Sequence, residues 1–73
     1  MSKTVHTEKY KDFLARLCRA RKEKGLSQVE VAKALGKHQS YIAKCENGER
    51  RVDIIELLEF AQLYGKSLDY FVE

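Results

Sequence analysis

Four side chains within six positions carry the most specific chemistry in this chain: Gln39, Ser40, Ala43 and Lys44. With Gln39 at zero on a helix advancing about 100° per residue, Ala43 falls at about 40°, Ser40 at about 100° and Lys44 at about 140°. An amide, a hydroxyl, a methyl and an ammonium thus share one face. These groups match base edges in a DNA major groove: Gln pairs with adenine, Lys with guanine, and Ala or Ser fits beside thymine. Tyr41, Cys45 and Ile42 fall at about 200°, 240° and 300°, an apolar face that can pack. Arg50 and Arg51 follow the helix directly and are placed to touch phosphates. Gln28 opens the preceding helix, whose N-terminal amides attract anions. Lys37 and His38, just before the polar face, join this phosphate group. Tyr41, at the edge of the packed face, either sets its hydroxyl on a phosphate or its ring in the core.

Two short helices joined by a tight turn position these groups. Ser27 with Glu30 three residues later forms a capping box. Val31, Ala32 and Leu35 give the first helix one buried face. Gly36 stops it, because glycine accepts the left-handed C-terminal conformation without a Cβ penalty. The second helix runs from about Gln39 and ends at Asn47-Gly48.

The stretch resembles the helix-turn-helix of the lambda-repressor/Cro type, the xenobiotic-response-element family. The matching residues are Ser27-Gln28, Val31-Ala32, Leu35-Gly36, Gln39-Ser40-Tyr41-Ile42 and Glu46-Asn47-Gly48, with Arg21 upstream and Leu68-Asp69 downstream. The resemblance implies an all-α, compact five-helix DNA-binding domain. It implies double-stranded operator DNA as partner, Gln28 on a phosphate, and an ion pair between Arg21 and Glu46 that satisfies a partly buried guanidinium. The sequence departs from the family pattern at His38, where a Ser or Thr cap is common, and at Val52, where a proline is common. The second departure is expected to loosen the turn into the next helix.

Composition agrees with one small all-helical domain. The chain has 73 residues, no proline and four glycines, each after an amphipathic run. Residues 1–27 carry eight Lys/Arg and three Asp/Glu, and residues 49–73 three and six. A basic front and an acidic back suit a protein that lays one side on a polyanion, although solvated helix faces give the same pattern. The N-terminus is polar, without a signal peptide or a membrane-spanning run, so a reducing cytoplasm, bacterial or phage-encoded, is expected. There Cys18 and Cys45 stay unpaired. His6, Cys18, His38 and Cys45 match no zinc spacing, so no metal is expected. There is no phosphate loop and no catalytic triad spacing, so no enzyme, cofactor or small-molecule ligand is expected.

The remaining elements follow from stripes and caps. Residues 1–7 form a flexible arm and 8–73 the domain. Thr7 caps a helix from about Glu8 to Lys24 with Tyr10, Phe13, Leu14, Leu17 and Ala20 inward, leaving Arg16, Arg19, Lys22 and Lys24 mostly exposed. Asp53 and Glu56 box a fourth helix, with Ile54, Leu57, Leu58, Phe60, Ala61 and Tyr64 on one arc. Ser67 caps a fifth, Leu68 to about Val72. A domain this small gains from dimerisation, and one reading helix covers too few base pairs to specify a site. Ile55, Leu63, Tyr70, Phe71 and Val72 are the candidate homodimer contacts, with a fuller monomer core as their other use. The competing functional reading is a protein-interaction adaptor that keeps the fold without binding DNA.

Overall fold

Local signals start and stop most of the helices in the computed structural model, which describes residues 7–73. Thr7 accepts the Tyr10 N–H on its hydroxyl at 3.1 Å and opens α1, Glu8–Glu23, one residue shorter than the sequence suggests. The Ser27 hydroxyl accepts the Glu30 N–H at 3.1 Å and the Glu30 carboxylate accepts the Ser27 N–H at 2.8 Å, which starts α2, Gln28–Leu35. The same reciprocal pair between Asp53 and Glu56 starts α4, Ile54–Tyr64. Two starts lack such help. His38 precedes α3, Gln39–Asn47, with no side-chain cap, so the first turn is closed by the Tyr41 N–H on the His38 carbonyl at 3.0 Å. Ser67 occupies the cap position of α5, Leu68–Val72, but its hydroxyl makes no capping bond, contrary to expectation; the Tyr70 N–H instead meets the Ser67 carbonyl at 3.2 Å. Residues 1–6, most of the expected arm, lie outside the described residues.

Gly48 ends α3 under two constraints. Its φ is +87°, and a Cβ there would meet Leu14 Cδ1 at 3.1 Å. Glycine is needed both for the left-handed backbone and for the close approach of α1.

α2 packs on α3, α1 on α3 and α5, and α4 on α5. Leu17, Ala20, Val31, Ile42, Cys45 and Phe60 are fully buried where these elements meet. An aromatic column runs through the core, Tyr41 on Phe60 at 6.5 Å and Phe60 on Tyr64 at 5.9 Å between ring centroids. Burial raises the Cys45 thiol above its ordinary pKa, as for a small core hydrophobe.

Three features differ from the sequence reading. On α4 only Leu57, Phe60, Ala61 and Tyr64 are buried, while Ile54 is 59% and Leu58 37% exposed. The buried set has the i, i+3, i+4, i+7 spacing of a narrow stripe, and Ile54 and Leu58 lie beside it, where no other described element covers them. Arg16 is half-buried and not an open surface charge: its Nη1 donates to the Tyr70 carbonyl at 3.1 Å and ties α1 to α5. The turn at Val52 is anchored and not loose, because the Val52 N–H donates to the Tyr10 hydroxyl at 3.0 Å, a bond that proline has no hydrogen to make.

Candidate nucleic-acid interface

α3 sets its outward arc by burying the opposite one. Ile42 and Cys45 are wholly buried, which leaves Gln39, Ser40 and Lys44 exposed and Ala43 half-buried. Lys37 and His38 are exposed at the start of the helix and Arg51 after its end. The α2–α3 turn that holds this geometry is closed by the Lys37 N–H on the Ala32 carbonyl at 2.8 Å, with Gly36 left-handed at φ +69°.

Behind the outward arc runs a continuous polar chain. Arg21 Nε donates to Glu46 Oε2 at 2.7 Å and Nη2 to Oε1 at 3.1 Å, a two-pronged contact between α1 and α3. Both partners are largely shielded, with side chains 12% and 7% exposed. Arg21 Nη1 also donates to the Leu26 carbonyl at 2.9 Å, just before α2. The Glu46 hydrogen bonds raise the Arg21 pKa against the opposing effect of burial. Gln28 Nε2 donates to Glu46 Oε1 at 3.0 Å, and Gln39 Nε2 donates to Gln28 Oε1 at 2.7 Å. The ion pair, the candidate phosphate residue and the first candidate base reader are thus one network. Gln28 and Gln39 are eleven residues apart, and no helical period flags their contact.

The candidate phosphate group divides. Arg50 does not stand free, for its Nη1 and Nη2 fork onto Glu56 at 2.9 and 2.7 Å, and Nη1 also meets the Arg51 carbonyl at 3.1 Å. Its Cζ lies 4.8 Å from the Tyr41 ring centroid. The Arg50 fork, aided by the Asp53 N–H, holds the Glu56 carboxyl far below its usual range, at about 2, against desolvation. Arg50 therefore reaches solvent as a guanidinium braced by Glu56 and by the Tyr41 ring. Arg51 is exposed, stacked 4.7 Å over the Tyr10 ring, with no carboxylate partner among the described residues. Sequence reading missed Glu56 as a partner for Arg50, because its capping role already accounted for the carboxylate and a loop separates the two.

Tyr41 resolves to the core. Its ring stacks on Phe60, and its hydroxyl is buried without a hydrogen-bond partner among the described residues. Desolvation, with smaller contributions from nearby Cys45 and Glu56, raises its pKa well above the usual tyrosine value. The hydroxyl is therefore not set to meet a phosphate. Instead the ring face serves as a platform for Arg50 and for Lys37, whose Nζ is 5.1 Å from its centroid.

The candidate dimer residues divide too. Ile55 is 62% and Val72 69% exposed. Leu63 and Tyr70 are half-buried against the core. Phe71 is only 1% exposed and stands edge-on to Phe13 at 6.4 Å. Phe71 therefore has no surface left to offer a second chain, a correction to the sequence reading that follows from α5 folding back on α1. Among the described residues no helix is long and apolar enough to cross a membrane.

The five-helix arrangement, with α2 and α3 as the paired units and a polar outward arc on α3, defines a helix-turn-helix protein. The model of the helix-turn-helix family matches residues 19–71, and the chain belongs to that family. It is 42% identical over 57 residues to the HTH-type transcriptional regulator PrpR of Mycobacterium tuberculosis, a match covering 78% of this chain and 12% of that protein. It is 45% identical over 49 residues to the uncharacterized HTH-type transcriptional regulator y4dJ of Sinorhizobium fredii, covering 67% of this chain and 64% of that protein. The chain thus spans less than two thirds of the length of each of these relatives.

Proposed function

We propose that the chain is a sequence-specific double-stranded DNA-binding transcriptional regulator, a small repressor acting as a dimer on a palindromic operator. The observation that carries this reading is the outward arc of α3, where Gln39, Ser40 and Lys44 are exposed and Ala43 half-buried without an acidic or large apolar side chain on that arc. An adaptor surface built for apolar or basic partners would carry such residues there. Lys37, His38, Arg50 and Arg51 flank the arc with donors and positive charge suited to the two phosphate strands. Gln28 supports the reading differently, as the residue that braces Gln39 at 2.7 Å.

A dimer follows from economy of contact. Two reading helices related by a two-fold axis would address half-sites about 34 Å apart, one turn of DNA. The exposed apolar side chains of Ile55 and Val72, joined by Ile54 at 59% exposure, are the surface for this contact, with Leu63 and Tyr70 at its edge.

Selection of bound duplexes from a random-sequence pool tests the reading. Wild type is expected to enrich a two-fold symmetric sequence. Gln39→Ala or Lys44→Ala should cost about 1–3 kcal/mol on that sequence and relax one base pair per half-site. Arg51→Ala should weaken all sequences alike and lower the salt slope by about one unit per lost contact. No enrichment, or variants that leave the rank order of operators intact, would favour the adaptor.

A further inference from the structure

One side chain of α1 holds both the backbone and the side chain of the loop that follows α3. The Tyr10 hydroxyl accepts the Val52 N–H at 3.0 Å. The Tyr10 ring lies under the Arg51 guanidinium, whose Cζ is 4.7 Å from the ring centroid. The peptide group between Arg51 and Val52 is also held on its other edge, because the Arg51 carbonyl accepts from Arg50 Nη1 at 3.1 Å. Tyr10 is itself half-buried, with its ring centroid 5.2 Å from that of the core residue Phe13. Arg51 thus starts from a fixed backbone and leans on a fixed ring. Tyr10 lies outside the family match at residues 19–71, and a proline at position 52 would have no hydrogen to give its hydroxyl.

The two cations of this loop are not equivalent. Arg50 gives its fork to Glu56 at 2.9 and 2.7 Å, which offsets its charge locally. Arg51 is exposed and has no carboxylate partner among the described residues. Stacking occupies only the flat face of its guanidinium. The N–H groups point outward in the plane, where a phosphate can take two of them at once. The ring contact and a phosphate contact can therefore be made together.

We propose that Tyr10 is a positioning residue for DNA binding: it holds Arg51 in the pose that meets a backbone phosphate, and Arg51 stays on the ring in the complex. The proposal rests on the DNA-binding function above. An arginine already held in place loses less side-chain freedom on binding, and ordering one such side chain corresponds to about two- to tenfold in affinity. A phosphate contact carries no base information, so Tyr10 acts on all sequences alike.

The probe is a random-sequence duplex, with affinity measured by fluorescence anisotropy at several salt concentrations. Melting curves identify the folded variants. Arg51→Ala should lower the salt slope by about one unit. Tyr10→Leu should weaken binding about three- to tenfold in wild type and in Lys44→Ala, both of which keep Arg51. In Arg51→Ala the same change should move affinity by less than about twofold, the scatter of independent sites. A merely structural Tyr10 would weaken binding in every background. NMR of the wild-type protein covers the case in which Tyr10→Leu does not fold. The Arg51 side-chain protons over the ring face should sit upfield, and stay upfield when the duplex is added.

Equal losses with and without Arg51 overturn the proposal, as does a loss below about twofold when folded Tyr10→Leu is compared with wild type. So do Arg51 protons that return to ordinary shifts on adding DNA, because the side chain has then left the ring. In each of these, wild type still binds the duplex and the DNA-binding function stands. Wild type that does not bind the duplex at any salt concentration removes both.

Discussion

Removing Arg21 should unfold this domain at a markedly lower temperature, and the size of the drop follows from what the guanidinium touches. In Arg21→Ala the Glu46 carboxylate, 7% exposed, loses two donors at 2.7 and 3.1 Å, and the Leu26 carbonyl loses one at 2.9 Å. A fully buried carboxylate stripped of its partner costs about 3–5 kcal/mol, and a net hydrogen bond to a charged group contributes about 1.5–3 kcal/mol. Gln28 Nε2 remains on Glu46 at 3.0 Å and Arg21 is itself 12% exposed, so the upper values do not apply. The expected loss is about 2–3 kcal/mol. In a chain of this size each kcal/mol lowers Tm by about 4–8 °C, so the drop should be about 8–24 °C. Arg21→Lys keeps the charge but not the two-pronged fork and should fall between wild type and alanine. The assay is thermal unfolding followed by circular dichroism, run as a double-mutant cycle with Glu46→Ala. A Tm drop under about 4 °C, or a coupling below about 0.5 kcal/mol in the cycle, would refute the view that this pair holds α1 to α3.

Glu56 makes stability sensitive to acid: its folded pKa of about 2 lies below its ordinary value of 4.5, so its contribution is complete above about 4.5 and is lost as pH falls towards about 2. Acid titration by circular dichroism should therefore show that Glu56→Gln removes most of its stability deficit, relative to wild type, by about pH 2. Gly48→Ala forces a φ of +87° on a residue with a Cβ that would sit 3.1 Å from Leu14, and should destabilise by more than about 1 kcal/mol in urea unfolding. Phe60→Ala empties a fully buried aromatic site stacked between Tyr41 and Tyr64 and should cost about 3–5 kcal/mol, enough to leave much of the chain unfolded at room temperature by circular dichroism. Ile55→Glu places a charge on a 62% exposed position and should leave Tm nearly unchanged while sedimentation shows weakened self-association on operator DNA.

Much of the architecture is readable one turn at a time. The capping boxes at Ser27–Glu30 and Asp53–Glu56, the Thr7 cap and the glycine stops are contacts over three or four residues, and a helix brings such neighbours together wherever it sits. The polar arc of α3 is equally local, because the angular spacing of Gln39, Ser40, Ala43 and Lys44 does not depend on the rest of the fold. What spacing leaves open is which arc of a helix meets a neighbour. On α4 the wheel grouped Ile54 and Leu58 with Leu57 and Phe60, and only the placement of α4 beside α5 and the core separated the exposed pair from the buried one.

The sequence alone, then, determined five helices, the caps that start α1, α2 and α4, and the polar face of α3, because those depend on residue type and on a period of 3.6. The tertiary structure decided the partners that sit far apart in the chain. Arg16 on the Tyr70 carbonyl, Tyr10 on the Val52 N–H, Arg50 on Glu56, and Gln39 on Gln28 on Glu46 all span a turn or several helices. A donor in a sequence has many possible acceptors, and only packing brings one of them to about 3 Å and excludes the rest.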